Sequence, residues 1–269
     1  GFITVIPSAA RSMATRAFGR MVFWEGASLW ILGRRPGDAP YPRTAAHAHH
    51  AVQVTLALRG SFALEGRDGR VSGGAAVVAP DAEHTFEADQ LVAHLFVDPE
   101  GQPGRELQRT LCPTGGIVAI ATERLGSLPV RLRTEFEAPR RHDTSLIGLG
   151  RDLLAQLAPG SERDERPEAR VRRMSAWAAE RLHSRISLAD AARHVGLSSG
   201  RARHVFVEET GLPFRTYILW LRLNRAVELY SGGESLTEAA HGAGFSDSSH
   251  FSRTFRRLFG VSADSLRVM

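Results

Sequence analysis

The chain has 269 residues, of which 43% are hydrophobic, enough for about two domains with real cores. Its 34 basic residues, all arginine, face 29 acidic ones, for a net charge of +5. A single cysteine, Cys112, excludes an internal disulfide framework and fits a reducing cytoplasm, and no apolar run reaches the ~20 residues of a membrane span.

Residues 1–20 contain no acidic side chain, and the apolar run at 2–6 is too short for a signal-peptide core. This stretch is expected as a flexible leader, with Met13 or Met21 as alternative starts. From residue 21 the pattern changes to short β-type runs at 21–24, 28–32, 52–58, 61–64, 75–78 and 91–97. Turn signals separate them, among them Gly66-Arg67-Asp68-Gly69 and Gly73-Gly74. Short strands at this spacing predict a small antiparallel barrel or jelly roll. Helices are expected after it at 104–111, 117–125 and 146–158, the last with Leu146, Leu149, Leu153, Leu154 and Leu157 on one stripe. The barrel and its helices together make a domain at 21–158. The charged, proline-bounded stretch 159–167 reads as the interdomain linker.

Two clusters in the β region carry chemistry. His47-Ala48-His49, followed by Gln53 and Gly60, resembles the first motif of cupin barrels; Gly74, followed by Pro80 and His84, resembles the second. Gln53 stands where glutamate is usual, and the second spacing is one residue short. Alternation puts His47 and His49 on one face of a strand, so His47, His49, Gln53 and His84 can converge on a divalent transition metal, for which imidazole is a suitable ligand. Two other readings stay open. His49, Gln53 and His84 line a pocket for a small organic effector together with Trp24, Trp30 and Phe86, or the histidines only decorate the start of a strand, as the neighbouring His50 suggests.

The last third, residues 168–269, repeats a motif. Ser187-Leu188-Ala189-Asp190-Ala191-Ala192-Arg193-His194-Val195-Gly196-Leu197-Ser198 returns 48 positions later as Ser235-Leu236-Thr237-Glu238-Ala239-Ala240-His241-Gly242-Ala243-Gly244-Phe245-Ser246. In each copy Ser with Asp or Glu three residues on fits a capping box. A short helix follows, a glycine supplies the positive φ of a tight turn, and Ser198 or Ser246 is expected to cap a second helix. Those second helices are expected over 199–210 and 247–259, ending at Gly211 and Gly260. Their buried stripes are Ala202, Val205 and Phe206, then Phe251, Phe255 and Leu258. Facing outward are Ser199, Gly200, Arg201, Arg203 and His204, then Ser248, Ser249, His250, Ser252 and Arg253, residue types that bond base edges and phosphates. A helix over 215–231 joins the copies, and Arg222 and Arg225 on it face either phosphates or solvent. Residues 168–269 hold 15 Arg against 10 acidic residues, whereas 1–167 hold 19 of each, so the whole excess of five positive charges lies on the repeat. The alternative is a pair of amphipathic hairpins in an ordinary helical bundle, which the shared caps, small residues and glycines argue against.

The runs Leu212-Pro213-Phe214 to Ala226 and Gly244-Phe245-Ser246 to Ser262 resemble the DNA-binding domain of the AraC/XylS family over about residues 170–267. Ala263 and Leu266 depart from the proline and aromatic residue usual there, and Gly200 removes a side chain where members often reach for a base. The resemblance implies two helix-turn-helix subdomains in consecutive major grooves of promoter DNA and a cupin-like sensor barrel with a small-molecule effector. It also implies activation together with RNA polymerase, and a homodimer formed through the helices after the barrel unless these pack only on their own barrel. The expected protein is thus a cytoplasmic, bacterial one-component regulator of two-domain α+β class, not an enzyme and without membrane attachment. A metal-dependent cupin enzyme or metal sensor fused to a DNA-binding module, and a regulator whose barrel only dimerises, are the alternatives.

Overall fold

The computed structural model describes residues 17–24, 26–34, 43–139, 143–159, 169–210, 213–263 and 266–268. Its first part is built from β1 (Ala17–Trp24), β2 (Ala27–Gly33), β3 (Val52–Arg59), β4 (Phe62–Gly66), β5 (Gly69–Gly73), β6 (Ala75–Val78), β7 (His84–Ala88), β8 (Leu91–Val97) and β9 (Ile117–Ala119), joined by β10 (Leu266–Val268) from the far end of the chain. Seven strands form one sheet in the order β10-β1-β2-β8-β3-β6-β9, and three form another, β5-β4-β7. The expected barrel or jelly roll takes the form of two open sheets. At the β7 edge of the small sheet only a single bridge forms, His47 to His84, so the pairing does not run on around a barrel.

Strand alternation gives the large sheet two chemically different faces. Leu29 and Ile31, Val52, Val54 and Leu56, and Ala93, Leu95 and Val97 point to one side. There they form the main core with α1 (Gln102–Leu111), α2 (Leu128–Glu137) and α3 (Asp143–Leu157) through Leu107, Leu132, Leu146 and Leu153. The other side carries Ser28, Trp30, Gln53, Thr55, His94 and Phe96, all buried and mostly polar or aromatic. A face of that composition stays buried only when something covers it and pairs its polar atoms.

Several expectations change here. β1 begins at Ala17, so residues 17–20, expected in the leader, belong to the sheet, where they pair with β2 and β10; residues 1–16 lie outside the described residues. The stretch 117–125 is not a helix. Gly115 and Gly116, both at positive φ, turn the chain so that Ile117 and Val118 pair with β6, and a 3-10 turn over Thr122–Leu125 then buries Leu125. β5 and β7 have too little alternation to show in the sequence; β5 is exposed at four of its five residues. The linker at 159–167 falls, apart from Pro159, outside the described residues.

The second part is all-helical: α4 (Ala169–Ala179), α5 (Leu188–His194), α6 (Ser199–Thr210), α7 (Phe214–Ser231), α8 (Leu236–Gly242) and α9 (Ser248–Phe259). The first helix-turn-helix closes its own core, with Met174, Ala192, Ala202, Phe206, Phe214 and Tyr217. The second does not. Phe251, Phe255 and Phe259 share one cluster with Met21, Trp30 and Phe96 of the large sheet and with Ala51 just before β3. The helical domain thus covers the polar-aromatic face. No helix among the described residues is long and apolar enough to cross a membrane.

Candidate functional site

Both helix-turn-helix starts are capped. Ser235 and Glu238 form the reciprocal box, with Ser235 N–H donating to Glu238 at 2.9 Å and Glu238 N–H to Ser235 Oγ at 3.2 Å. In the first copy Ser187 Oγ accepts from Asp190 N–H at 3.2 Å and donates to the Asp190 carboxylate at 2.6 Å. The inter-helix turns use Gly196 at φ 69 and Gly244 at φ 87, both in the left-handed region. Ser198 caps α6 as expected, accepting from Arg201 N–H at 3.3 Å. Ser246 does not cap α9. The additional residue of that turn, Asp247, takes the role and accepts from His250 N–H at 2.7 Å. This bond holds the Asp247 carboxyl below its usual range, where its negative charge suits a helix N-terminus.

The outward faces lie where the repeat put them. Ser199, Gly200, Arg201, Arg203 and His204 are exposed on α6; Ser249 and Arg253 are exposed and Ser248, His250 and Ser252 half-buried on α9. His204 lies 3.7 Å from Glu208 one turn on, and the His250 ring meets Phe245 edge-on at 5.2 Å, so His250 is partly tied to the turn. Beneath these faces Ala202, Val205 and Phe206, and Phe251 and Phe255, are buried, with Leu258 at the margin and Thr254 and Phe259 added. Gly211 lies outside the described residues, and Gly260 ends α9 at φ 69.

The connector α7 has 18 residues, a rod of about 27 Å. Arg222 faces neither phosphate nor solvent alone: it donates to the carbonyls of Leu182 at 3.0 Å and Ser184 at 2.8 Å, binding the connector to the chain after α4. Arg225 pairs with Glu228 at 2.6 Å.

The second candidate site lies on the covered face of the large sheet. The backbones of His47 and His84 exchange hydrogen bonds of 3.0 and 2.9 Å, which brings their rings to 4.3 Å, and the His49 ring lies 5.2 Å from His84. One nitrogen from each ring lies within 4.8 Å of the others. Gln53 is not placed as a fourth ligand. Its Oε1 lies 2.7 Å from His49 Nε2, while its amide nitrogen donates to Thr55 at 2.8 Å and faces His94 Nδ1 at 3.2 Å, so it orients His49 instead. Burial lowers the pKa of all three histidines, His49 well below its usual range and His84 to about 4, and mutual repulsion adds to this for His49 and His84, so the site disfavours the charged form of each ring. Next to it His50 is held by Asp81 at 2.9 Å and Glu100 at 2.6 Å; burial opposes its charge, but the two carboxylates carry it up to about 9.

Around the cluster stand Trp30, Phe86, His94 and Phe96, with Trp30 and Phe96 touching at 4.9 Å and Phe86 and His94 at 4.8 Å. Trp24 is a correction: the parity of β1 turns it to the opposite face, where its indole lies over Gly150 of α3. Sequence reasoning missed Thr55, His94 and Phe96, which the alternation of β3 and β8 signals once those strands are paired through Gln53 and Phe96. It also missed the roof of the site, Trp220 and Phe259 from the helical domain, for which no local signal exists. Cys112 is buried in the main core with its thiol pushed up to about 11, an unreactive setting.

A family profile described as a helix-turn-helix domain matches residues 191–268. The HTH-type transcriptional activator RhaS of Escherichia fergusonii is 35% identical over 118 residues, covering 43% of this chain and 42% of RhaS. RhaS of Escherichia coli strain SE11 is 32% identical over 134 residues, covering 49% and 48%. The chain spans about half the length of the curated relatives it matches. Among solved structures, apo ToxT from Vibrio cholerae superposes with a TM-score of 0.59 at 11% identity, over 90% of this chain and 96% of ToxT. ToxT bound to an unsaturated fatty acid gives 0.55 at 11% identity, over 89% and 94%. That likeness shows the fold: a β-sheet domain followed by a double helix-turn-helix. The carboxy-terminal part of the chain is thus similar to the helix-turn-helix domains of these transcriptional activators, and the chain as a whole shares the ToxT fold.

Proposed function

We propose that the chain is a one-component transcription regulator that reads double-stranded promoter DNA with α6 and α9 and responds to a small ligand held between its sheet and its second helix-turn-helix. The observation that carries this reading is the pair of serine-, arginine- and histidine-bearing faces, exposed on α6 and exposed to half-buried on α9, set on buried aromatic stripes at the two ends of one rigid helix. Arg201, Arg203 and Arg253 contact guanine edges or phosphates, and the serines and His204 complete the surface. Residues 21–158 form the sensor, 159–167 the linker and 168–269 the reader. The regulator acts in the cytoplasm as an activator, in step with the curated relatives, recruits RNA polymerase, and pairs as a homodimer through α2 and α3; no catalytic step is assigned to it. The ligand works by population shift, favouring one placement of the reader over another.

The test is binding to the chain's own promoter by the full protein. Affinity is expected to fall steeply with salt, and Arg203→Ala and Arg253→Ala are each expected to cost about 1–3 kcal/mol and relax selectivity at one base position. Unchanged affinity and selectivity in both variants would overturn the assigned surface.

A further inference from the structure

We propose that His47, His49 and His84 bind one divalent transition-metal ion, in a site roofed by the carboxy-terminal end of α9, so that filling it shifts the second helix-turn-helix. The coupling, though not the metal site, rests on the regulator reading above, whose ligand it names.

The first observation is where each imidazole spends its hydrogen. His47 Nδ1 lies 2.8 Å from the carbonyl of Ala45, His84 Nδ1 2.9 Å from that of Ala82, and His49 Nε2 2.7 Å from the side-chain oxygen of Gln53. These oxygens only accept, so each of those nitrogens carries the proton and the opposite one keeps a bare lone pair. An acceptor behind each ring that fixes its tautomer is the outer shell found around metal-ligating histidines.

The second observation is that two of these lone pairs lack donors. His49 Nδ1 and His84 Nε2 are fully enclosed and have no hydrogen-bond partner, in residues 2% and 1% exposed. A single water has two hydrogens for three lone pairs. One Lewis acid serves all three. The ligands are nitrogen alone, which excludes calcium and magnesium and suits zinc, nickel, copper, cobalt or iron. Nitrogens around a tetrahedral zinc stand about 3.3 Å apart, so a set within 4.8 Å closes on the ion by small ring rotations. Three ligands leave a fourth position open.

The third observation joins the site to α9. Ala45 N–H, beside His47, donates to the carbonyl of Gly260 at 3.1 Å. A side chain at Gly260 would stand 2.4 Å from the Ala45 oxygen and 2.7 Å from His47 Nδ1, so the helix end lies directly on the ring. Phe259 packs 6.0 Å from His49 and 5.0 Å from Trp30. Rings drawn toward an ion move against this lid.

The experiment titrates chelator-stripped full-length protein with zinc(II) and, for its visible spectrum, with cobalt(II). One ion per chain is expected. His49→Ala and His84→Ala should each weaken binding more than the loss of an outer-shell group does, and Gln53→Leu should weaken it by about 10–100-fold; the exposed His241→Ala should leave it unchanged. If His84→Ala loses its folded circular dichroism, His84→Gln carries the same expectation at similar volume. Wild-type protein that takes up no stoichiometric zinc at micromolar concentration, or folded histidine variants that bind like wild type, would overturn the site. Zinc should also change amide exchange across residues 251–260 in wild type and not in His84→Gln; bound zinc with no change there overturns the coupling. Promoter affinity measured with and without zinc separates the readings: zinc uptake without any duplex binding sinks the regulator, and duplex binding without zinc uptake sinks the metal site.

Discussion

The two helix-turn-helix copies share caps, turn glycines and buried stripes, yet they are held in place differently. The first completes its own core: Phe206 meets Phe214 and Tyr217 edge-on at 5.1 and 5.3 Å, and α4 closes the other side. In the second, Phe255 and Phe259 pack with tilted rings 4.7 Å apart and continue into Trp30 and Phe96 of the large sheet. One motif therefore yields a self-contained helix-turn-helix and another whose core is half built by the large sheet. In the proposed regulator, a change at the sheet therefore has a short path to α9 and a longer one to α6, through α7.

The largest expected effect tests that shared core. Phe206→Ala and Phe255→Ala each empty a fully buried site and should each cost about 3–5 kcal/mol in denaturant unfolding. Only Phe255→Ala should also shift the Trp30 emission, because only that stripe reaches the indole; equal spectra in both variants would dissolve the contrast. Next come the turn glycines. A side chain at Gly244 would stand 2.0 Å from the Leu182 carbonyl and 2.9 Å from Arg222, whereas at Gly196 it would meet open space. Gly196→Ala should therefore lose only about 1–2 kcal/mol of left-handed strain, and Gly244→Ala clearly more. Similar losses would mean that the second turn is not locked to the connector. The smallest effect concerns the caps: Asp247→Ala should cost about 1 kcal/mol and Ser246→Ala a few tenths, as thermal unfolding would show, since Asp247 makes the cap bond.

The reader domain was legible because its signals are local. Ser235 and Glu238, Gly196 and Gly244, and the stripes of α6 and α9 all act within a few residues of themselves. Where the spacing slipped by one, the cap moved from Ser246 to Asp247, which repeat alignment alone does not choose. The sensor was legible only in part. His47, His49 and His84 were visible as candidates, but their meeting depends on a backbone bridge 37 residues apart in sequence. Gln53 looked like a ligand because it occupies a ligand's place, and only its bonds to His49 and Thr55 reveal an orienting role. Trp24 was misplaced because the parity of β1 relative to its neighbours is set by pairing with β2. The roof of Trp220 and Phe259 belongs to tertiary packing between domains and leaves no trace in either local pattern.

The central claim is that α6 and α9 each read their own stretch of one duplex. Base-resolution footprinting of the full protein on its promoter tests it most directly. The account predicts two protected segments about one helical turn apart, with Arg203→Ala weakening one and Arg253→Ala the other. A single protected segment, or one lost as a whole in either variant, would contradict it.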